Sequence, residues 1–390
     1  MTITSASNRN SCRATIPGLS AIILAAGYSS RMGEFKPLLR IGECPAVESV
    51  VRLFLNAGLG DVSVVVGHRA QEVVPIIEAA GARFVVNHQF EDGMFSSVRA
   101  GVQALPSNAE ACFVIPADIT LVRESTIRRL VSSYRAGIKS IIYPVFEERR
   151  GHPPLISRAV IDEVLRMEST GRLSTLLAAH EVEACNLFVP DEGVCLDMDT
   201  PEDFTKVCKL AWHREIPTSR ECEAMLAVYQ PENKVVRHSR VVADVANRLA
   251  SALAERNILV NPLLARAGGM LHDIAKGREH HAEAGARLLR HLGFGEVASV
   301  VAAHTDFAFE GGRLDEAAIV FLADKSVTGE RVVGLAQRFH RAFERFKNNP
   351  TALASVLRRR TIAEAIAQDI ENCLGVELQK IIGEVSSQTG

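Results

Sequence analysis

The strongest constraint on this fold is a change of rhythm along the chain. Up to about residue 200, short β-branched runs alternate with helix-length amphipathic segments; beyond Thr200 only helical patterns remain. The strand-like runs cover 20–25, 61–66, 83–86, 112–115 and 140–145, and the spacing between them predicts helices over 46–57, 69–79, 94–105 and 124–135. Alternation of this kind predicts a mostly parallel sheet with helices on both faces and right-handed crossovers. Ligands of such open sheets bind beyond the carboxyl ends of the strands. The glycine-bearing loop after the first run and Asp118 after the 112–115 run both fall there.

The second part predicts helices over 239–255, 262–275, 281–292, 296–304 and 316–324, with more to about residue 382. Phe339, Phe343 and Phe346 share one helix face and read as a core stripe. Arg358, Arg359 and Arg360 read as a solvated helix face. Pro217 and Pro231 stand on either side of one short helical segment, and the shift in composition places the boundary near 205–225. The expected division is a disordered tail at 1–18, an α/β domain at 19–212 and an all-α domain at 222–385.

Composition excludes several classes. With 390 residues the chain has room for two cores. A formal net charge of −2 carries no basic footprint for nucleic acid. The eight cysteines form no Cys-x-x-Cys pair, which fits reduced thiols and a cytoplasmic protein. No apolar run reaches membrane-spanning length, and the Ser-, Thr- and Asn-rich first residues are not a secretory signal.

Residues 24–39 read Leu-Ala-Ala-Gly-Tyr-Ser-Ser-Arg-Met-Gly-Glu-Phe-Lys-Pro-Leu-Leu. A triphosphate is held by backbone N–H groups and a few cations. Gly27 and Gly33 permit a tight wrap, while Arg31 and Lys36 supply charge. The spacing is not that of a Walker A loop, since no Gly-Lys-Ser/Thr follows.

This segment resembles the signature of the nucleotidyltransferases that complete the molybdenum cofactor. Four further segments extend the resemblance in order: Gly93-Met94-Phe95-Ser96-Ser97-Val98, Pro116-Ala117-Asp118, Arg150-Gly151-His152-Pro153 and Asp197-Met198-Asp199-Thr200-Pro201-Glu202-Asp203. It covers roughly residues 20–205 and implies a Rossmann-like α/β nucleotidyltransferase. Leu24-Ala25-Ala26-Gly27 with Lys36-Pro37-Leu38-Leu39 is similar to the cytidylyl members of the family. The resemblance implies CTP as the NTP, a molybdopterin-type acceptor and a molybdoenzyme as recipient. Asp118 and Asp199 would hold Mg²⁺, with Asp197 a weaker candidate, and Arg31 and Lys36 would stabilise leaving pyrophosphate. Asp199 could instead cap the helix that follows, and His152 could merely shape a turn. Ile119-Thr120 and Gly171-Arg172-Leu173 depart from the family's pattern where the acceptor is expected.

In the second part His238, His272, Asp273, His281, His304 and Asp324 recur in an order that resembles HD-domain phosphohydrolases. Imidazole with carboxylate suits Mn, Fe, Zn or Mg. The resemblance implies a first metal on His238, His272, Asp273 and Asp324. A second would use His281 and His304, and Lys276 would contact the phosphate. It leaves the substrate open and allows a non-catalytic sensor.

Overall fold

The computed structural model describes residues 15–29, 32–137, 139–168, 170–229, 232–305, 309 and 314–383. The chain divides into two compact units, Met1–Trp212 and His213–Gly390. Of the expected tail, residues 1–14 lie outside the described residues, and the first strand begins at Ile16.

The first unit is built on a mixed sheet. Its main strands are β1 (Ile16–Ala25), β2 (Leu59–Val66), β3 (Arg83–Val86), β4 (Ala111–Pro116), β5 (Ile141–Phe146), β6 (Leu155–Ser157) and β7 (Ala184–Phe188). They lie side by side in the order β7-β5-β6-β4-β1-β2-β3, and the two-residue segment Arg149–Arg150 pairs with β5. β1 is central and parallel to both neighbours. Its residues Ala21, Ile22 and Ile23 are fully buried, as a strand covered on both faces requires. The periodicity predicts five of these strands; it misses β6 and β7. β6 is a three-residue strand running antiparallel to β4 and β5, too short to leave a period.

Helices α1 (Ala46–Ala57), α2 (Ala70–Ala80), α3 (Met94–Gln103) and α4 (Glu124–Arg135) lie in the crossovers. α1 buries Val47, Val50, Val51 and Phe54 and stops at Gly58, whose φ of 104° closes the helix. α3 lies close on the sheet because Gly101 has no Cβ; one built there would stand 2.4 Å from Ile22 Cγ2. That close approach brings the amino end of α3 to the carboxyl ends of β1 and β4. The last helix of the unit, α5 (Pro201–Ala211), is capped by Thr200 and Asp203 in a reciprocal capping box.

Among its described residues the second unit has helices and only the two-residue strands Val327–Thr328 and Arg331–Val332. Its helices include α6 (Asn233–Glu255), α7 (Pro262–Leu271), α8 (His281–Leu292), α9 (Gly295–Ala303), α10 (Glu316–Lys325), α11 (Leu335–Phe346) and α12 (Pro350–Leu374). Asn261 caps α7, its Oδ1 accepting from the N–H groups of Leu263 and Leu264, and Pro262 takes the first helical position. One core joins Leu249, Leu271, Leu289, Val301, Phe321 and Ile366 from six helices. Phe339 is buried there, with Phe343 and Phe346 packed against it, as the stripe predicts. Among the described residues no helix is long and apolar enough to cross a membrane.

Gly269 sets the spacing of α6 and α7. A Cβ there would stand 2.8 Å from Ala243 Cα, a backbone atom with no rotamer to change. Gly269→Ala would gain helix propensity yet force the helices apart. We expect a net loss of about 1–3 kcal/mol. A calorimetric scan should show a lower Tm, whereas an unchanged or higher Tm would mean the helices separate freely.

Candidate functional site

The first site forms where β1 and β4 end together. Leu24 is paired with Pro116 across the two strands, so the loops that follow leave the sheet at one level. Ala117 N–H donates to Leu24 O (2.9 Å) and His68 N–H to Ala26 O (3.1 Å), fixing the first residues of the loop. Lys36 N–H donates to Ser29 Oγ at 3.1 Å and ties the far end of the loop to its start.

Lys36, Asp118 and Asp199 converge. Lys36 Nζ lies 2.8 Å from Asp118 Oδ2 and 2.6 Å from Asp199 Oδ1. Burial lowers the Lys36 pKa, but the hydrogen bonds to Asp118 and Asp199 outweigh it and the net shift is upward. Asp197 is raised, first by burial and then by the charges of Asp199 and Asp118. The strand ends therefore concentrate negative charge, which attracts a cation. Thr200, not Asp199, caps α5. That removes the capping explanation for Asp199 and leaves its carboxylate on Lys36.

A cavity of about 510 Å³ opens over these groups. Leu24, Ala25, Ala26, Gly27, Lys36, Asp118 and Asp199 line it. A Cβ on Gly27 would meet no protein atom within 4 Å. Gly27 keeps a φ outside the left-handed region, which Ser29 (φ 58°) and Gly33 (φ 76°) occupy instead. Gly33 shapes the turn and is not among the lining residues. Arg31 lies outside the described residues.

A second cavity, about 750 Å³, shares Leu24, Gly93, Met94 and Pro116 with the first. Arg172, His152 and Tyr143 line it, and the Arg150 guanidinium lies 4.2 Å from the Tyr143 ring centre while pairing with Glu181. The amino end of α3 stands between the two chambers. Asn87 places it, donating from Nδ2 to Ser96 Oγ (2.8 Å) and Ser97 Oγ (3.0 Å). Tyr143 sits on β5 outside every motif, whereas Arg150 opens the Arg150-Gly151-His152-Pro153 segment. Tyr28 belongs to the loop motif but is an aromatic residue with no charge to offer a phosphate. It stacks near His68 and Phe90, at 4.8 and 5.5 Å between ring centres, on the wall of the first cavity.

The second site gathers all six ligand candidates. His238 comes from α6, His272 and Asp273 from the end of α7, His281 from the start of α8, His304 from the end of α9 and Asp324 from α10. His238 Nε2 is 3.1 Å from Asp324 Oδ1, and His272 Nε2 is 3.7 Å from the same oxygen. His281 Nε2 and His304 Nε2 are 3.3 and 3.5 Å from Asp273 Oδ1. The Nδ1 atoms of His238, His272 and His304 face the carbonyls of Gly329, Gly269 and Val301 at 2.9, 2.7 and 2.7 Å. A carbonyl fixes the proton on Nδ1 and turns Nε2 inward as a lone-pair donor.

Two sets of donor atoms lie within 4.8 Å of one another: His238, His272 and Asp273, then Asp273, His281 and His304. Asp273 belongs to both. His272 is 1% exposed, and its Nε2 has no hydrogen-bond partner. An orphaned buried nitrogen is costly unless a ligand completes it. With the imidazole and carboxylate donors, that fits a divalent metal. Asp273 is held well below the usual carboxylate range: burial pushes it up, but His272, His281 and His304 outweigh burial. Lys276 Nζ lies 2.9 Å from Asp273 Oδ2.

A glycine loop, a lysine and two aspartates at the carboxyl edge of a parallel sheet define a nucleotidyltransferase. The histidine–aspartate cluster among helices defines an HD domain. The chain belongs to the MobA-like NTP transferase family, whose domain matches residues 21–184, and it carries an HD domain over 235–329. It is 31% identical over 198 residues to nicotine blue oxidoreductase of Paenarthrobacter nicotinovorans, covering 49% of this chain and 94% of that protein. It is 26% identical over 188 residues to molybdenum cofactor cytidylyltransferase of Escherichia coli K12, covering 48% and 93%. A solved nucleotidyl transferase from Methanothermobacter is 21% identical, covering 50% of this chain and 98% of that one at a TM-score of 0.44.

Burial lowers the His152 pKa, against the pull of Asp118 and of a backbone hydrogen bond with Val114. The folded chain therefore binds this proton less readily than the unfolded chain. Stability should fall as pH drops from about 6.5 toward the depressed folded value. Melting between pH 7.5 and 5 should show a shallower slope in His152→Gln; an identical slope would mean that His152 titrates normally.

Proposed function

We propose that the first unit transfers a cytidylyl group from CTP to a terminal phosphate of a molybdopterin-type acceptor. The observation that carries this reading is the pair of adjoining chambers, one holding the Lys36–Asp118–Asp199 convergence and both bounded by the amino end of α3. NTP would lie in the smaller chamber and the acceptor in the larger. An acceptor phosphate oxygen attacks the α-phosphorus; that P–O bond forms as the α–β bridging bond breaks, and pyrophosphate leaves with the electron pair. No enzyme nucleophile is required, so the residues act by positioning and by charge. Asp118 and Asp199 would hold Mg²⁺, which supplies charge neutralisation for the triphosphate and leaving group. Lys36, released from between the two carboxylates, would then bind phosphate oxygens. Arg31 would join it.

The second unit is read as a metal-dependent phosphohydrolase. His238, His272, Asp273 and Asp324 would hold one divalent ion; Asp273, His281 and His304 would hold another. Such ions, held by these residues, would supply charge neutralisation for phosphate oxygens and would acidify a water. In hydrolysis the oxygen of water bonds to phosphorus as the P–O bond to the leaving group breaks, and a proton of that water passes to the leaving oxygen. Lys276 would orient the phosphate. A molybdoenzyme as recipient and a cytoplasmic setting agree with this reading.

Purified full-length chain should release pyrophosphate from CTP faster than from GTP, UTP or ATP, and only with molybdopterin-type acceptor present. Asp118→Ala should cut that release by about 10²–10³-fold. A clear preference for another NTP would overturn the cytidylyl assignment. Reduction of a dye with no pyrophosphate from any NTP would replace transfer by the redox chemistry named in the Paenarthrobacter relative. For the second unit, Asp273→Ala should abolish bound transition metal, measured by elemental analysis, while pyrophosphate release continues. Metal retained at full occupancy would refute the shared-carboxylate reading.

A further inference from the structure

The cavity over the histidine–aspartate cluster, about 670 Å³, has a cationic wall that the cluster itself does not require. Lys234, Lys276, Lys325, Arg338, Arg345 and Arg359 line it. Lys276 pairs with Asp273, Lys325 with Asp324 and Lys234 with Glu232, so each lysine already faces a carboxylate, while Arg338 and Arg345 face none among the described residues. Phosphate of a simple monoester brings at most two negative charges. Like charges gathered around one cavity repel unless an anion joins them.

Four of the six come from outside the HD match at 235–329: Lys234 just before it and the three arginines beyond it. Arg338 and Arg345 are seven residues apart on α11, two turns along one face, while Phe339 of the same helix enters the core. Arg359 comes from α12, where its Nε donates to Thr305 O at 3.1 Å, beside the ligand His304. The solvated face expected for Arg358–Arg360 is thus broken at its middle residue. Two helices deliver planar guanidinium groups to the same opening. Such forks match phosphate oxygens better than ammonium groups do. Arg338 and Arg345 make no ion pair with a carboxylate among the described residues, and the Arg345 guanidinium rests 5.3 Å from the Phe346 ring centre.

We propose that this cavity recognises a ligand carrying two or more linked phosphate groups, the outer one at the cluster and the next on Arg338, Arg345 and Arg359. The assignment of the outer phosphate rests on reading the cluster as a metal site. The assignment of the next phosphate rests on the arginines alone.

The test is titration calorimetry on Mn²⁺-loaded full-length chain carrying Asp118→Ala, which disables the transferase site. Inorganic pyrophosphate and orthophosphate are the probes, and metal content is measured on the same samples. Pyrophosphate should bind at least tenfold more tightly than orthophosphate. Adding Arg338→Ala with Arg345→Ala should remove most of that preference, leaving orthophosphate affinity and metal content unchanged. Arg338→Lys with Arg345→Lys should keep part of it and shows that a weaker ligand is not a misfolded chain. Equal affinity for the two anions, or a preference that survives loss of both arginines, overturns the proposal. If the chain holds no metal, the metal reading falls. The arginine-dependent preference for pyrophosphate then still decides this proposal, for or against.

Discussion

Carboxylates brought close together govern both units. Asp118, Asp197 and Asp199 crowd the ends of the strands, and the Asp197 pKa is raised by burial first and then by the charges of its two neighbours. Asp273 and Asp324 are gathered in the helical unit, where burial opposes their charge. Each group is steadied by a lysine: Lys36 in the first unit, Lys276 and Lys325 in the second. An ammonium is a compact charge on a flexible stem, able to leave when a doubly charged ion arrives. A carboxylate pair whose fixed cation is a lysine suits a site that must exchange partners.

The scaffolds differ, but the solution is the same. In the parallel sheet, the register of β1 with β4 sends two loops out at one level, so residues 82 positions apart meet as Lys36 and Asp118. In the helical unit, ligands stand at helix ends, where chain direction changes and side chains from different helices converge. His272 follows the last residue of α7, His281 opens α8 and His304 follows α9. Neither arrangement needs a long loop to carry the chemistry.

Much of this was legible in the sequence because it was written in short contiguous stretches. The glycine loop, Pro116–Asp118 and the ordered histidines each announce themselves within a few residues. The helices α1, α3 and α4 have strong amphipathic periods, and their starts were placed correctly. What escaped depends on tertiary placement. β6 and β7 pair with strands that are distant in sequence. The capping of α5 by Thr200 rather than Asp199 is a choice between two adjacent oxygen-bearing residues that only geometry makes. Arg359 looked like one of three surface arginines; only the cavity separates it from its neighbours. Arg338 and Arg345 did carry a signal, a seven-residue spacing set apart from the phenylalanine stripe, but such spacing is common on solvated helices.

Gly269 serves two roles at once. Its missing side chain sets how near α6 and α7 may come, and its carbonyl receives the His272 ring proton. Core dimensions and imidazole attitude are thereby written into a single peptide unit. A lineage could not retune the interior at that crossing by gradual volume changes and keep the donor aimed where it is; the two properties must be inherited together.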